Sequence, residues 1–408
     1  MPKQKGYSSQ PEVVVKPLTA KDVTLQPLIM YCNESGRHVK SSSLHQTWFT
    51  GAIKVWDSFE DEVTHTFSKV IWLQYPDTIA YDLPKAGISE FHIGASEHFL
   101  CGEEISVSGR WVQHALHPMS AVSKVLEFGM VFGDWKATAK RDDFFQVAGT
   151  DSNTGKSVNL GQSENPTNKG KGRAVDISDN LNVDEDPITS RKKNNLIPDY
   201  ALMVASDGAP RAVGEAKTHW KQNFLTGWDK FVDNKDEGFM RHLLGQVGNY
   251  MIELELKYGF LTSYNYTFFL KRENEGGRET IYCSRPIPYN ATSSSEHKIS
   301  VRQGLLFLQH CVQGDGWYAE KISETGIVKK KKGESAKEVR ERMNIAVAKN
   351  KKGSQSAASF AEDDEEQLAR KLAGMDIQGP TTRSRARFAE PLETEGNKPR
   401  SSGGKSRK

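Results

Sequence analysis

The sequence predicts an α/β domain over residues 45–325, a central mixed sheet flanked by helices, interrupted by a long polar insertion and carrying irregular ends. Three observations predict it. The apolar run from Leu196 to Val204 closes on Asp207-Gly208 and Pro210, which reads as a buried strand ending in a turn. Arg211-Ala-Val-Gly-Glu-Ala-Lys217 follows at once as a second strand. From Gly238 to Tyr258, Phe239, Leu243, Leu244, Val247, Met251 and Leu254 recur at helical spacing. Phe260 to Leu270, rich in Tyr, Thr and Phe, then reads as the next strand.

In chain order, residues 1–44 mix Lys, Ser, Gln and Pro with short apolar touches such as Leu28-Ile29-Met30, the pattern of an arm that docks only in part. From Thr47 the composition changes, and Trp48, Phe49, Ile53, Val55 and Trp56, then Val70 to Leu73 and Ile79 to Tyr81, suit strands or a strand and helix layer. A helix is expected from Gly102, with Val107, Trp111, Val112, Ala115 and Leu116 on its apolar face. Glu103 and Glu104 in its first turn complement the helix dipole, and Pro118 should end or kink it. Phe128 to Trp135 reads as a strand able to pair with the one that carries Asp199.

Residues 149–195 are dominated by Ser, Asn, Gly, Lys and Asp, as expected of a disordered insertion, and closing such a long loop adds little entropy cost. Arg191-Lys192-Lys193 at its end reads as solvated charge or a phosphate contact. Thr280 to Pro286 and Val301 to Cys311 read as a further strand and helix, with Trp317-Tyr318 closing the core. Residues 326–408 read as a disordered basic tail, with Lys329 to Lys332, an acidic run from Glu362 to Glu366, and a basic end at Arg383, Arg385, Arg387 and Lys405 to Lys408.

Composition limits the classes of function. With 408 residues, 37% hydrophobic content and a mean hydropathy of −0.61, one core of moderate size is expected rather than two. The net charge of +3 does not by itself imply a nucleic-acid partner. Cys32, Cys101, Cys283 and Cys311 are far apart and form no C-x-x-C pair, which argues against a disulfide framework and for a reducing compartment. No apolar run reaches transmembrane length, so a soluble, intracellular protein with no membrane partner is expected. The basic clusters of the tail suit nuclear import or nucleic-acid contact, and solubilising charge explains them equally well.

The chemistry lies between Ile197 and Tyr250. On the second strand the side-chain period of two places Val213, Glu215 and Lys217 on one face and Ala212, Gly214 and Ala216 on the other. A face that carries both an acid and a base into a core is unfavourable unless those charges meet ions or each other. Gln246 and Tyr250 are i and i+4 neighbours, and with His242 one turn earlier they should point to one place. His98-x-x-Cys101 and His114-x-x-His117 have the residue types of a zinc site but not finger spacing, and histidines on a solvated helix account for them better.

The order of a strand with Pro198-Asp199, a strand bearing Glu215-Ala216-Lys217, a helix and a strand resembles the PD-(D/E)XK nuclease superfamily, with its restriction-endonuclease-like fold. Gln246-x-x-x-Tyr250 is similar to the RecB-like branch, and the phrasing around the motif is similar to nuclease-like proteins of filamentous fungi. The match covers 195–272, and the upstream helix and strand by order of elements only. The resemblance implies that Asp199, Glu215 and the Ala216 carbonyl hold Mg²⁺, with Mn²⁺ as a substitute. Glu104 or Glu103 supplies the acid that the family places on its first helix. It further implies that Lys217 orients or activates water, that Gln246 and Tyr250 contact the substrate strand or support the site, and that the substrate is nucleic acid, DNA ahead of RNA. The alternative expectation is a nuclease-derived binding or interaction module without turnover.

Overall fold

Tyr-Ala-Leu-Met-Val is a strand apolar on both sides, and it lies inside the sheet, where such a strand belongs. The computed structural model describes residues 15–30, 46–82, 97–138, 197–293, 297–322, 326–331 and 333–350, all within one compact unit that spans Met1–Ala358. Its strands are β1 Lys16–Leu18, β2 Thr47–Phe49, β3 Ala52–Val55, β4 Ala80–Asp82, β5 Met130–Asp134, β6 Tyr200–Val204, β7 Pro210–Ala216, β8 Tyr258–Thr262, β9 Tyr266–Glu275, β10 Arg278–Cys283, β11 Ile287–Pro288 and β12 Ile327–Lys329.

The main sheet runs β3-β10-β9-β8-β7-β6-β5, with β11 paired to β9. The pairs β5 with β6 and β6 with β7 are antiparallel, whereas β7 and β8 are parallel, as are β3 and β10. It is a central mixed sheet flanked by helices. A parallel pair needs a crossover. Here it consists of two helices, α5 Phe224–Asn234 and α6 Gly238–Glu253.

Each sheet face has its own core. On one lie α1 Ala20–Leu25, α2 Phe59–Lys69, α3 Glu104–Trp111, α4 His117–Val125 and α7 Val301–Cys311, packed with Trp111, Phe260 and Tyr200. On the other, α5 and α6 cover Val213, Leu261 and Phe268. The small face of β7 exists because aromatic rings fill the space beside it: a Cβ on Gly214 would lie 2.1 Å from the Phe260 ring. The close approach of α6 to β2 has the same origin, since a Cβ on Gly245 would lie 2.0 Å from the Thr47 carbonyl oxygen.

Several expectations are corrected. Pro118, expected to end or kink its helix, does not end it, though the regular α-helix is interrupted just before it. The chain passes from α3 through a π-helical turn, Val112–Leu116, into α4, with Pro118 in the first turn of α4. Lacking an N–H, Pro118 leaves the His114 carbonyl without its usual i+4 donor. The guanidinium of Arg302 in α7 donates to that carbonyl instead, from Nη2 at 2.7 Å and Nε at 3.2 Å, while its Nη1 donates to the Val23 carbonyl at the end of α1 at 3.0 Å. The strand expected over Phe260–Leu270 is two strands, β8 and β9, joined through Ser263-Tyr264-Asn265 with Tyr264 in the left-handed region at φ 68°.

Residues assigned to the arm and the tail also fold. In the arm, β1 pairs with β4, and Leu18, Ala20 and Val23 are buried. In the tail, β12 pairs with β2, and helix α8, 336–350, buries Val339 and Met343. The polar insertion at 149–195, Arg191 to Lys193, Cys32, and the acidic and basic runs beyond residue 350 lie outside the described residues.

Candidate active site

Asp199 immediately precedes β6, and its Oδ2 accepts from the Ala216 backbone N–H of β7 at 2.7 Å. That bond sets the aspartate beside the strand that carries Glu215 and Lys217. Glu215 and Lys217 follow the face predicted for them and turn toward α6, where they are 2% and 1% exposed. Their side chains form an ion pair at 2.7 Å, and Lys217 Nζ also donates to Gln246 Oε1 at 3.2 Å. The Gln246 amide donates in turn to the Tyr250 hydroxyl at 2.8 Å, which donates to the Ile197 carbonyl at 3.1 Å. The chain of hydrogen bonds therefore ends next to Pro198-Asp199. Strand ends and one helix stripe brace each other around the lysine.

Burial pushes the Glu215 carboxyl up to about 8. Lys217 opposes the rise, while the charges of Asp199 and Glu104 add to it. Glu215 Oε2 is buried with no hydrogen-bond partner. A desolvated carboxylate with an unsatisfied oxygen, close to two further carboxylates, suits a hard cation, which takes oxygen ligands and needs only one or two carboxylates from the protein. The donor set fits Mg²⁺ on that basis. Among the described residues, however, no group of three or more His, Cys, Asp or Glu is arranged to hold an ion by itself. Glu104 reaches the site as a neighbouring charge and does not complete a three-carboxylate cage.

Of the two first-helix acids, the structure separates the roles. Glu103 is the exposed residue that caps α3, in extended conformation, whereas Glu104 opens the helix and acts on Glu215 and Tyr200. One feature had no sequence signal. The Tyr200 hydroxyl lies 2.6 Å from the Ser108 hydroxyl, one turn beyond Glu104 on α3, and fixes that helix against β6.

Two expectations fail here. His242 does not join Gln246 and Tyr250; its ring stacks on Trp48 at 4.7 Å between centroids. Nor do the histidines all lie on a solvated face, the reading preferred for them over a zinc site. His117 is exposed, but His114 is buried, with Nε2 3.2 Å from Glu97 Oε2, and Arg110 donates to the same carboxylate at 2.9 Å. Burial pushes the Glu97 carboxyl up, but hydrogen bonds from Arg110, the Phe99 N–H and His114 outweigh it and hold the group at about 2. This is a half-buried ion-pair cluster.

The described cysteines, Cys101, Cys283 and Cys311, form no disulfide with one another. Among the described residues no helix is long and apolar enough to cross a membrane. No protein-family model, curated protein or solved structure matches the chain.

Proposed function

We propose that the chain is a metal-dependent nuclease of the PD-(D/E)XK type, hydrolysing nucleic-acid phosphodiester bonds, DNA ahead of RNA. The observation that carries this reading is the convergence of Asp199, Glu215 and Lys217 from adjacent strands, with Lys217 Nζ held between Glu215 and Gln246. The element order helix, β5, β6, β7, helices, β8, with the last two strands parallel, is the order the resemblance calls for in a restriction-endonuclease-like core. Asp199, Glu215 and the Ala216 carbonyl would hold Mg²⁺ or Mn²⁺, with Glu104 contributing charge. Such an ion, when bound, polarises the phosphoryl oxygen and acidifies a water.

The remaining work falls to the chain. Lys217 orients the attacking water and offsets the negative charge that grows on the phosphate, a task that rewards fixed position. Gln246 fixes Lys217, and Tyr250 ties Gln246 to the backbone beside Asp199. In this geometry Gln246 and Tyr250 support the site rather than meet a substrate strand.

A second reading rests on one observation, the near-complete burial of Lys217 and Glu215 in their own ion pair. A module that keeps the fold and binds without turnover would tolerate a site closed in this way. Cleavage of linear, circular and single-stranded DNA, and of RNA, with Mg²⁺ or Mn²⁺ separates the two. Loss of at least about 100-fold in rate for Lys217→Met is expected of the nuclease. Binding without cleavage by wild type on every substrate would establish the module instead.

A further inference from the structure

A groove of about 800 Å³ opens where the first turns of α6 meet β2 and helix α8. That size suits a small-molecule or nucleotide site. One wall carries Trp48 and His242, half-buried and inclined by only 15°, one ring stacked over the other as a short aromatic column that a further ring would extend. The apolar stripe of α8, with Val339 and Met343, forms another.

Charge gives the groove its sign. Its lining holds four cations, Lys235, Arg241, Lys330 and Arg340, against two carboxylates, Asp236 and Glu237. Glu237 is taken up by Arg241, which also donates to the Phe49 and Gly51 carbonyls at 3.0 Å, and Asp236 accepts from the Gly238 N–H at 3.0 Å. Asp236 keeps its charge, so Lys235, Lys330 and Arg340 set the field of the open space by three charges to one. An aromatic platform beside cations is the arrangement that takes single-stranded nucleic acid, with a base on the rings and phosphates on the charges. The groove also joins the candidate active site along one helix. His242 precedes Gln246 by one turn, about 6 Å along α6, and Gln246 holds Lys217.

We propose that this groove seats a single nucleic-acid strand, one base against the Trp48–His242 stack and the flanking phosphates on Lys330 and Arg340. The proposal deepens the nuclease reading and rests on it for the choice of polyanion. Anisotropy of a labelled oligothymidylate in EDTA, where no cleavage occurs, tests it. Trp48→Ala and the doubly reversed Lys330→Glu with Arg340→Glu should each weaken binding about tenfold or more, and Trp48→Phe, which keeps a ring, should restore most of it.

Equal binding by the charge-reversed protein, whose substitutions lie at one half-buried and one exposed position outside the core, would overturn the groove. So would wild-type binding of polyglutamate as tight as that of oligothymidylate, or no binding by wild type at low salt. The two readings fail separately. Unchanged cleavage by Lys217→Met alongside weakened binding by the groove variants would remove the nuclease assignment and keep the groove; the reverse pattern would remove the groove alone.

Discussion

Lys217 keeps its ammonium between one carboxylate and one amide where water hardly reaches. Removing it strips Glu215 and Gln246 of their buried donor, and Lys217→Ala also leaves a cavity, so that variant is expected to lower the melting temperature as well as activity, and the volume-preserving Lys217→Met is the cleaner one. The raised carboxyl of Glu215 adds a pH dependence. The folded state holds that proton up to about 8 while the unfolded chain gives it up near 4.5, so folding becomes less favourable as pH rises from the lower value through the higher. In thermal melts across this window, the advantage of Glu215→Gln over wild type should grow with pH; a constant gap would show that Glu215 is ionised in the fold. That Glu215 and Lys217 share one strand face, and that Gln246 and Tyr250 share one helix face, was legible because a period of two and a spacing of four decide such placements, whereas Asp199 was named from the Pro-Asp motif and the resemblance. His242 was misread by the same rule. One turn along α6 the neighbouring element changes, and Trp48 takes the ring. The Tyr200–Ser108 contact joins residues 92 positions apart and leaves no local trace.

Elements were readable where composition and periodicity agreed, as in α7, where the expected Val301 to Cys311 matches the helix found. They were obscure where tertiary contacts decide. α5 was not foreseen, although Asn223 accepts from the Thr226 N–H as its N-cap. Pro118 looked like a terminator because its lost donor seemed to leave a carbonyl stranded, and the donor that rescues it comes from Arg302, 188 residues from that carbonyl. Glycine in α6 carries a related lesson. Gly245 lowers helix propensity, yet it is what lets α6 touch the backbone of β2. Gly245→Ala should therefore destabilise by about 1–3 kcal/mol despite its better propensity, read as a lower midpoint in urea. An unchanged midpoint would mean that β2 yields without cost.

At the scale of the molecule, the α/β class and its mixed sheet followed from the order of strands and helices, while the limits of the folded unit did not. Composition gave residues 1–44 only a partial docking and put 326–408 outside the core, because Leu18, Val23, Val328, Val339 and Met343 are too few and too widely spaced to announce themselves as core. Ending the chain at residue 325 would strip β12 from β2 and expose its contacts, and the melting temperature should fall by several degrees. A truncated protein that melts like the full chain would show that those contacts add nothing.

Arg302 has the widest reach. One guanidinium holds the carbonyls of Val23 and His114, which lie far apart in sequence, to a third segment, α7. Segments clamped in this way open together or not at all, so native-state hydrogen exchange should show α1, the π-helical turn and α7 as one cooperative foldon. The same turn follows directly on α3, which carries Glu104. A protease cut near residue 30 would then slacken the acidic side of the candidate site from a distance, making the arm its remote fastener.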